Sequence, residues 1–156
     1  VLRALPSTES WQIEVKKSGS AQQMRDTAES LRALVAELRI APKIIVTSAD
    51  QAFLGYAREL MPRVTLGYVG IGRDLLAIAA GLGCSYLMLN LFSCNPALRV
   101  QAWRKKIALS VWTVNDPVSI RNLRRMRVHS ILTDYPSMAI PLVAQIEGGK
   151  QPATPA

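Results

Sequence analysis

Apolar and polar positions follow two periods along this chain. In the stretch Trp11-Gln12-Ile13-Glu14-Val15-Lys16-Lys17, Ile13 and Val15 fall on one side, and Gln12, Glu14 and Lys16 on the other. A period of two is the mark of a half-wet strand. This run, over residues 12–15, predicts the first strand. Further short β-prone runs predict strands at 43–47, 64–69, 85–89, 108–114 and 130–133. Between them the period changes. Met24, Ala28, Leu31, Val35 and Leu38 form one stripe of an amphipathic helix over 21–39. Phe53, Tyr56, Ala57 and Leu60 do the same over 52–61, and a shorter helix is expected over 74–80, with Gly81 as its stop. Asn95-Pro96 and Asp116-Pro117 each set a capping side chain before a proline, which announces two more helix starts. A last helix is expected over 137–146, followed by a disordered tail at 148–156 that has no apolar pattern.

After the first unit, strand starts recur every ~21–23 residues, the rhythm of repeated βα units with parallel strands. An open doubly wound sheet and part of a (β/α)8 barrel both produce it. Gly67-Tyr68-Val69-Gly70-Ile71-Gly72 has the spacing G-x-x-G-x-G, not the G-x-G-x-x-G turn of dinucleotide folds. In a barrel, polar side chains collect where strands end. Here they do so at Glu14 and Lys16, Ser48 and Asp50, Asn90, residues 112–115, and Thr133 with Asp134. The fold class expected is therefore α/β, a partial TIM-type (β/α)8 barrel of about six βα units, occupying residues 1–147.

Composition narrows the picture only a little. With 156 residues, 49% of them hydrophobic, the chain has the size and apolar content of one ordinary domain. No apolar run is long enough to span a bilayer, and the N-terminus lacks the pattern of a signal peptide. The absent initiator Met suggests a start inside a longer chain, or processing. Localisation is expected to be cytoplasmic, with a periplasmic parent protein as the alternative. The net charge of +8 fits nucleic acid, an anionic surface or phosphorylated ligands. Its cations cluster near helix ends, at Arg99, Arg104, Lys105 and Lys106, and at Arg121, Arg124, Arg125 and Arg127. That placement complements helix dipoles, and no aromatics interleave as a base-stacking platform, so a solvated face is expected and nucleic acid is not. Cys84 and Cys94 have no metal-site spacing and are expected to be buried thiols.

Three places carry candidate chemistry. Glu14 and Lys16 share a strand face, so they form either a surface ion pair of little worth or a carboxylate for a hard cation beside an ammonium for a phosphate. Trp112, in Leu109-Ser110-Val111-Trp112-Thr113-Val114-Asn115-Asp116, either roofs a pocket or packs in the core. Asp134 ends the last strand, and its commonest role there is to cap the following turn.

The segments IEVKK, TSADQAFL, SVWTVNDP and ILTDYP, in this order and spacing over about residues 9–146, resemble the glycerophosphodiester phosphodiesterase family. The resemblance implies a (β/α)8 barrel that cleaves deacylated phospholipid diesters to an alcohol and glycerol 3-phosphate. It also implies a divalent cation, Ca2+ or Mg2+, held by carboxylates, and a pair of histidines for general acid–base work. By position, Glu14 matches a metal carboxylate, Lys16 the lysine that faces the phosphate, and Trp112 the tryptophan lining the pocket. Ser48 and Asp50 fall in the family's S-F-D segment, with Ala49 in place of its Phe. The closing G-V-D-G-I-I-T-D pattern reads Arg127-Val128-His129-Ser130-Ile131-Leu132-Thr133-Asp134 here, without either glycine or the first Asp. These changes bear on the turn into the last strand more than on catalysis.

The family's His-Arg-Gly motif, its Glu-x-Asp metal pair and its second histidine are not in this sequence, which corresponds to strands three to eight. His129, the single histidine, stands at the wrong end of the last strand to replace them and is expected to be a turn or surface residue. No catalytic residue is therefore expected within the chain, and a cation is expected to bind weakly or not at all. Three readings follow: part of an enzyme whose first strands lie elsewhere, an inactive relative that pairs with a partner or itself, or a basic binding domain.

Overall fold

The computed structural model describes residues 10–17 and 19–148, so all of the expected tail beyond Gly148 lies outside the described residues. The described residues form two compact units that divide between residues 88 and 89, inside a strand. Unit one contains β1 (Trp11–Glu14), α1 (Ala21–Leu38), β2 (Ile44–Ser48), α2 (Gln51–Leu60), β3 (Thr65–Gly70), α3 (Leu75–Gly81) and most of β4 (Tyr86–Asn90). Its strands lie in chain order, with no reversal such as a doubly wound sheet requires. β1 pairs with β2, and β2 with β3, in parallel. Unit two contains α4 (Pro96–Arg104), β5 (Ala108–Trp112), α5 (Pro117–Arg125), β6 (Ser130–Ile131) and α6 (Pro136–Gly148), with β5 and β6 parallel.

The alternation read from the sequence sorts the strands of unit one into two faces. Ile44, Val46 and Leu66 are buried on the face that α2 and α3 cover, together with Phe53, Leu54, Ala57 and Leu76. The other face carries Glu14, Thr47 and Gly67, which follow one another in the strand register. A Cβ on Gly67 would stand 2.9 Å from Thr47 Cγ2 and 3.0 Å from Tyr86 Cβ, so only a glycine leaves these side chains in place.

Helix starts follow the capping residues. Ser20 and Gln23 form a reciprocal capping box on α1. Asp50, Asn95 and Asp116 each accept an N–H from the residue three positions on, at 2.8–2.9 Å. Helix ends differ from expectation at one point. Gly81 does not stop α3 but is its last residue; the stop is Gly83, at φ +59°, where its N–H reaches Ala80 O and that of Cys84 reaches Ala79 O. The left-handed position of such a closure favours glycine, and Gly81 precedes it by two residues. The same pair of closing bonds ends α1, α4 and α5, but there the left-handed residues are Arg39, Lys106 and Arg127. The strand expected at 130–133 is regular only at Ser130–Ile131, although Leu132 still donates to Val111 O at 2.9 Å.

Candidate functional site

Glu14 closes β1, and Lys16 follows two residues later, so both project from the same side of the backbone. Lys16 Nζ lies 3.7 Å from Glu14 Oε1, and both side chains are open to solvent. Their backbone is pinned to the neighbouring strand end. Val15 donates to Thr47 O at 2.8 Å, and Ser48 Oγ donates to Val15 O at 2.6 Å while accepting the Asp50 N–H at 3.0 Å. Asp50 in turn caps α2 through Oδ1 and places Oδ2 3.8 Å from Lys17 Nζ. Ser48 and Asp50 are both buried. In this structure they hold the end of β1 rather than reach toward a ligand. That role has no sequence signal, because it depends on which strands are neighbours.

Trp112 ends β5 in the second unit and is half-buried, and its indole Nε1–H is buried with no hydrogen-bond partner among the described residues. A buried donor left unpaired is costly and marks a place where a ligand oxygen would be welcome. Beyond it, Asn115 binds together polar residues that the sequence placed at strand ends but whose bonds it did not reveal. Asn115 Nδ2 donates to Asp134 Oδ2 at 2.8 Å, and Asn115 Oδ1 accepts from Thr133 Oγ1 at 3.2 Å and from the Asp134 N–H at 3.0 Å. The turn-capping role expected of Asp134 belongs instead to Thr133, whose hydroxyl accepts the Tyr135 N–H at 3.1 Å. Asp134 is drawn away by the amide of Asn115. His129 is exposed immediately before β6, where its N–H donates to Leu109 O at 2.9 Å.

A cavity of about 840 Å³ in the second unit is bounded by Ile120, Ile131, Leu132, Ala139 and Val143, with Thr133 and Asp134 on its polar side. Neither Glu14, Lys16 nor Trp112 lines it. Among the titrating groups, burial pushes Cys84 up to about 11, against the opposing effect of Arg58. Burial also raises Cys94 and Tyr86. The backbone N–H and side chain of Ser119 hold Asp116 below its ordinary value.

A divalent cation would need oxygens gathered from several of the described residues. No group of three or more His, Cys, Asp or Glu side chains converges among them, and the carboxylate of Glu14 has an ammonium for its neighbour. Hard divalent ions take six or more oxygens, several of them from carboxylates or carbonyls.

The parallel βα units laid down in chain order define the class, an α/β protein with a partial TIM-type barrel. Residues 6–138 match the model of the glycerophosphoryl diester phosphodiesterase family, and the chain belongs to that family. Among solved structures, a Silicibacter pomeroyi protein assigned to the glycerophosphoryl diester phosphodiesterases superposes with a TM-score of 0.82 at 22% identity, covering 88% of this chain and 51% of that one. A glycerophosphodiester phosphodiesterase from Parabacteroides distasonis gives a TM-score of 0.79 at 22% identity, with coverages of 87% and 58%. An Oleispira antarctica phosphodiesterase in complex with its product sn-glycerol-3-phosphate gives 0.72 at 14%, with coverages of 84% and 54%. These likenesses show the fold, and the chain spans little more than half the length of each of these structures. No curated protein matches it.

Proposed function

We propose that this chain carries the substrate-orienting part of a glycerophosphodiester phosphodiesterase, the rest of whose site comes from residues outside the chain. In this reading Glu14 supplies one oxygen to a divalent cation, Lys16 neutralises the diester phosphate, and the Trp112 indole lies against the alcohol moiety. The proposal rests chiefly on one observation: an acid and a base set together, in solvent, at the end of β1 and on the face opposite the helices. A buried position would have forced the pair to neutralise itself. An exposed pair 3.7 Å apart is weakly coupled, and either member can exchange its neighbour for an ion or a phosphate. The orphaned Trp112 Nε1–H supports a polar ligand at the second position.

Diester hydrolysis needs a proton taken from the attacking water and one returned to the leaving alcohol. The described residues offer no histidine other than His129, which lies at the opposite end of its strand from Asp134. The purified chain is therefore expected to release no glycerol 3-phosphate from glycerophosphocholine, with or without Ca2+ or Mg2+. Metal-dependent release by these 156 residues would overturn the inactivity half of the proposal. The orienting half is tested by titrating glycerol 3-phosphate into the chain with Mg2+ present. Weak binding that falls about tenfold in Lys16→Ala is expected, and binding unchanged in both Lys16→Ala and Glu14→Gln would remove these residues from the site.

A further inference from the structure

The charge is divided unevenly. Residues 1–88 carry ten basic and eight acidic side chains, and residues 89–156 carry nine basic and three acidic ones, so the second unit holds six of the eight net positive charges. Its three acids are engaged elsewhere: Asp116 caps α5, Asp134 is held by Asn115, and Glu147 pairs with Arg124. Of the other described cations, Arg121 and Arg125 lie on α5, while Arg99, Arg104, Lys105, Lys106 and Arg127 lie on α4 or at the turns beside it. Arg99 donates from Nε to Arg127 O at 2.9 Å, and with Lys106, His129 and the edge of Trp103 these residues line a depression of about 240 Å³. Arg104, Lys105 and Lys106 follow directly, all exposed.

α4 itself is covered on one side only, with Ala102 its single buried residue. On the outer side Val100 and Trp103, one turn apart, are 48% and 68% exposed. A tryptophan two-thirds open to water beside an exposed valine is an apolar ridge, and the sequence reading of this region as a plain solvated face does not account for it. The surrounding charge decides what can cover the ridge. A second copy of this chain would bring like charges together. One exposed indole does not make the row of rings that stacking of successive bases requires. An indole with an aliphatic neighbour, rimmed by lysine and arginine, matches instead the composition that settles at the headgroup level of an anionic bilayer.

We propose that the α4 face of the second unit, Val100 and Trp103 ringed by Arg99, Arg104, Lys105, Lys106 and Arg127, docks on anionic phospholipid surfaces. The ridge enters the interface and the cations meet lipid phosphates. This is peripheral contact, since no described helix is long and apolar enough to cross a membrane. It stands apart from the hydrolysis reading, for none of these residues belongs to that site.

The test is co-sedimentation of the whole chain with vesicles of phosphatidylcholine alone and of phosphatidylcholine with phosphatidylglycerol. Binding is expected to the mixed vesicles only, lost at high salt, with bound protein quenched by brominated acyl chains. Trp103→Ala and a triple Arg104→Ser, Lys105→Ser, Lys106→Ser variant should each weaken it about tenfold or more, and both lie at exposed positions, so their circular dichroism should match the parent chain. No binding to mixed vesicles at low salt would overturn the proposal. So would binding unchanged in Trp103→Ala, or retention of single-stranded RNA but not vesicles.

Discussion

Single residues in this chain are decided by what the neighbouring strand places against them. Gly67 shows this most directly, because Thr47 and Tyr86 occupy the space that a side chain there would need. Gly67→Ala should cost about 1–3 kcal/mol, read as a lowered urea midpoint with unchanged slope. Cys84 gives a pH-dependent counterpart. Its thiol ionises at about 11 in the folded chain against an ordinary value of 9.0, so the unfolded chain releases its proton first. Stability is then full below pH 9 and declines as the pH rises through the interval to about 11. Thiol alkylation of the native protein should be slow at pH 8, with the half-buried Cys94 reacting ahead of Cys84. Faster reaction at Cys84 would show that its surroundings open. Glu14 and Lys16 were legible as candidates by spacing and by resemblance. Ser48 was not legible as the residue that fastens them, since its bond to the Val15 carbonyl joins positions 33 residues apart.

At the scale of elements, helix starts were the most legible feature and helix ends the least. A starting cap is local: Asp50 meets a N–H three residues on, whatever the rest of the chain does. Asp50→Ala should lower stability by about 1–2 kcal/mol, measurable as a fall in Tm, because it removes the α2 cap and leaves the Lys17 ammonium without its carboxylate. Helix ends were misread at Gly81 because composition suggests any nearby glycine, whereas backbone handedness selects one. The same reasoning explains the family departure at Arg127. Its φ of +57° is the conformation that glycine adopts without strain, and this is the turn where the family's pattern carries glycine. Arg127→Gly is expected to stabilise the chain by about 0.5–1 kcal/mol, seen as a raised Tm. Destabilisation would mean that the arginine side chain supports the turn in a way that outweighs its backbone strain.

For the whole molecule, the open strands matter most. β1 is paired only through β2, and β6 only through β5, so each presents an unpaired edge among the described residues. We expect equilibrium sedimentation to show a mass above 17.1 kDa that grows with protein concentration, as these edges find partners. A sharp monomer over a wide concentration range would count against it. The charge asymmetry works in the same experiment, since salt screens the repulsion among the cations of the second unit and should favour association.

The periods of the apolar pattern, the cap-proline pairs and the order of the motifs determined by themselves that this is a parallel α/β chain of six strands and which family it belongs to. The periods and the cap-proline pairs are encoded within a few residues of one another, and the motif order is read directly along the chain. Tertiary structure alone decided that Ser48 and Asp50 brace the end of β1, that Asn115 rather than the turn claims Asp134, and that α4 leaves Val100 and Trp103 facing water. The physical reason is the same in each case. A hydrogen bond or a buried face between distant positions exists only once the sheet has fixed which strand lies next to which, and no local period records that choice.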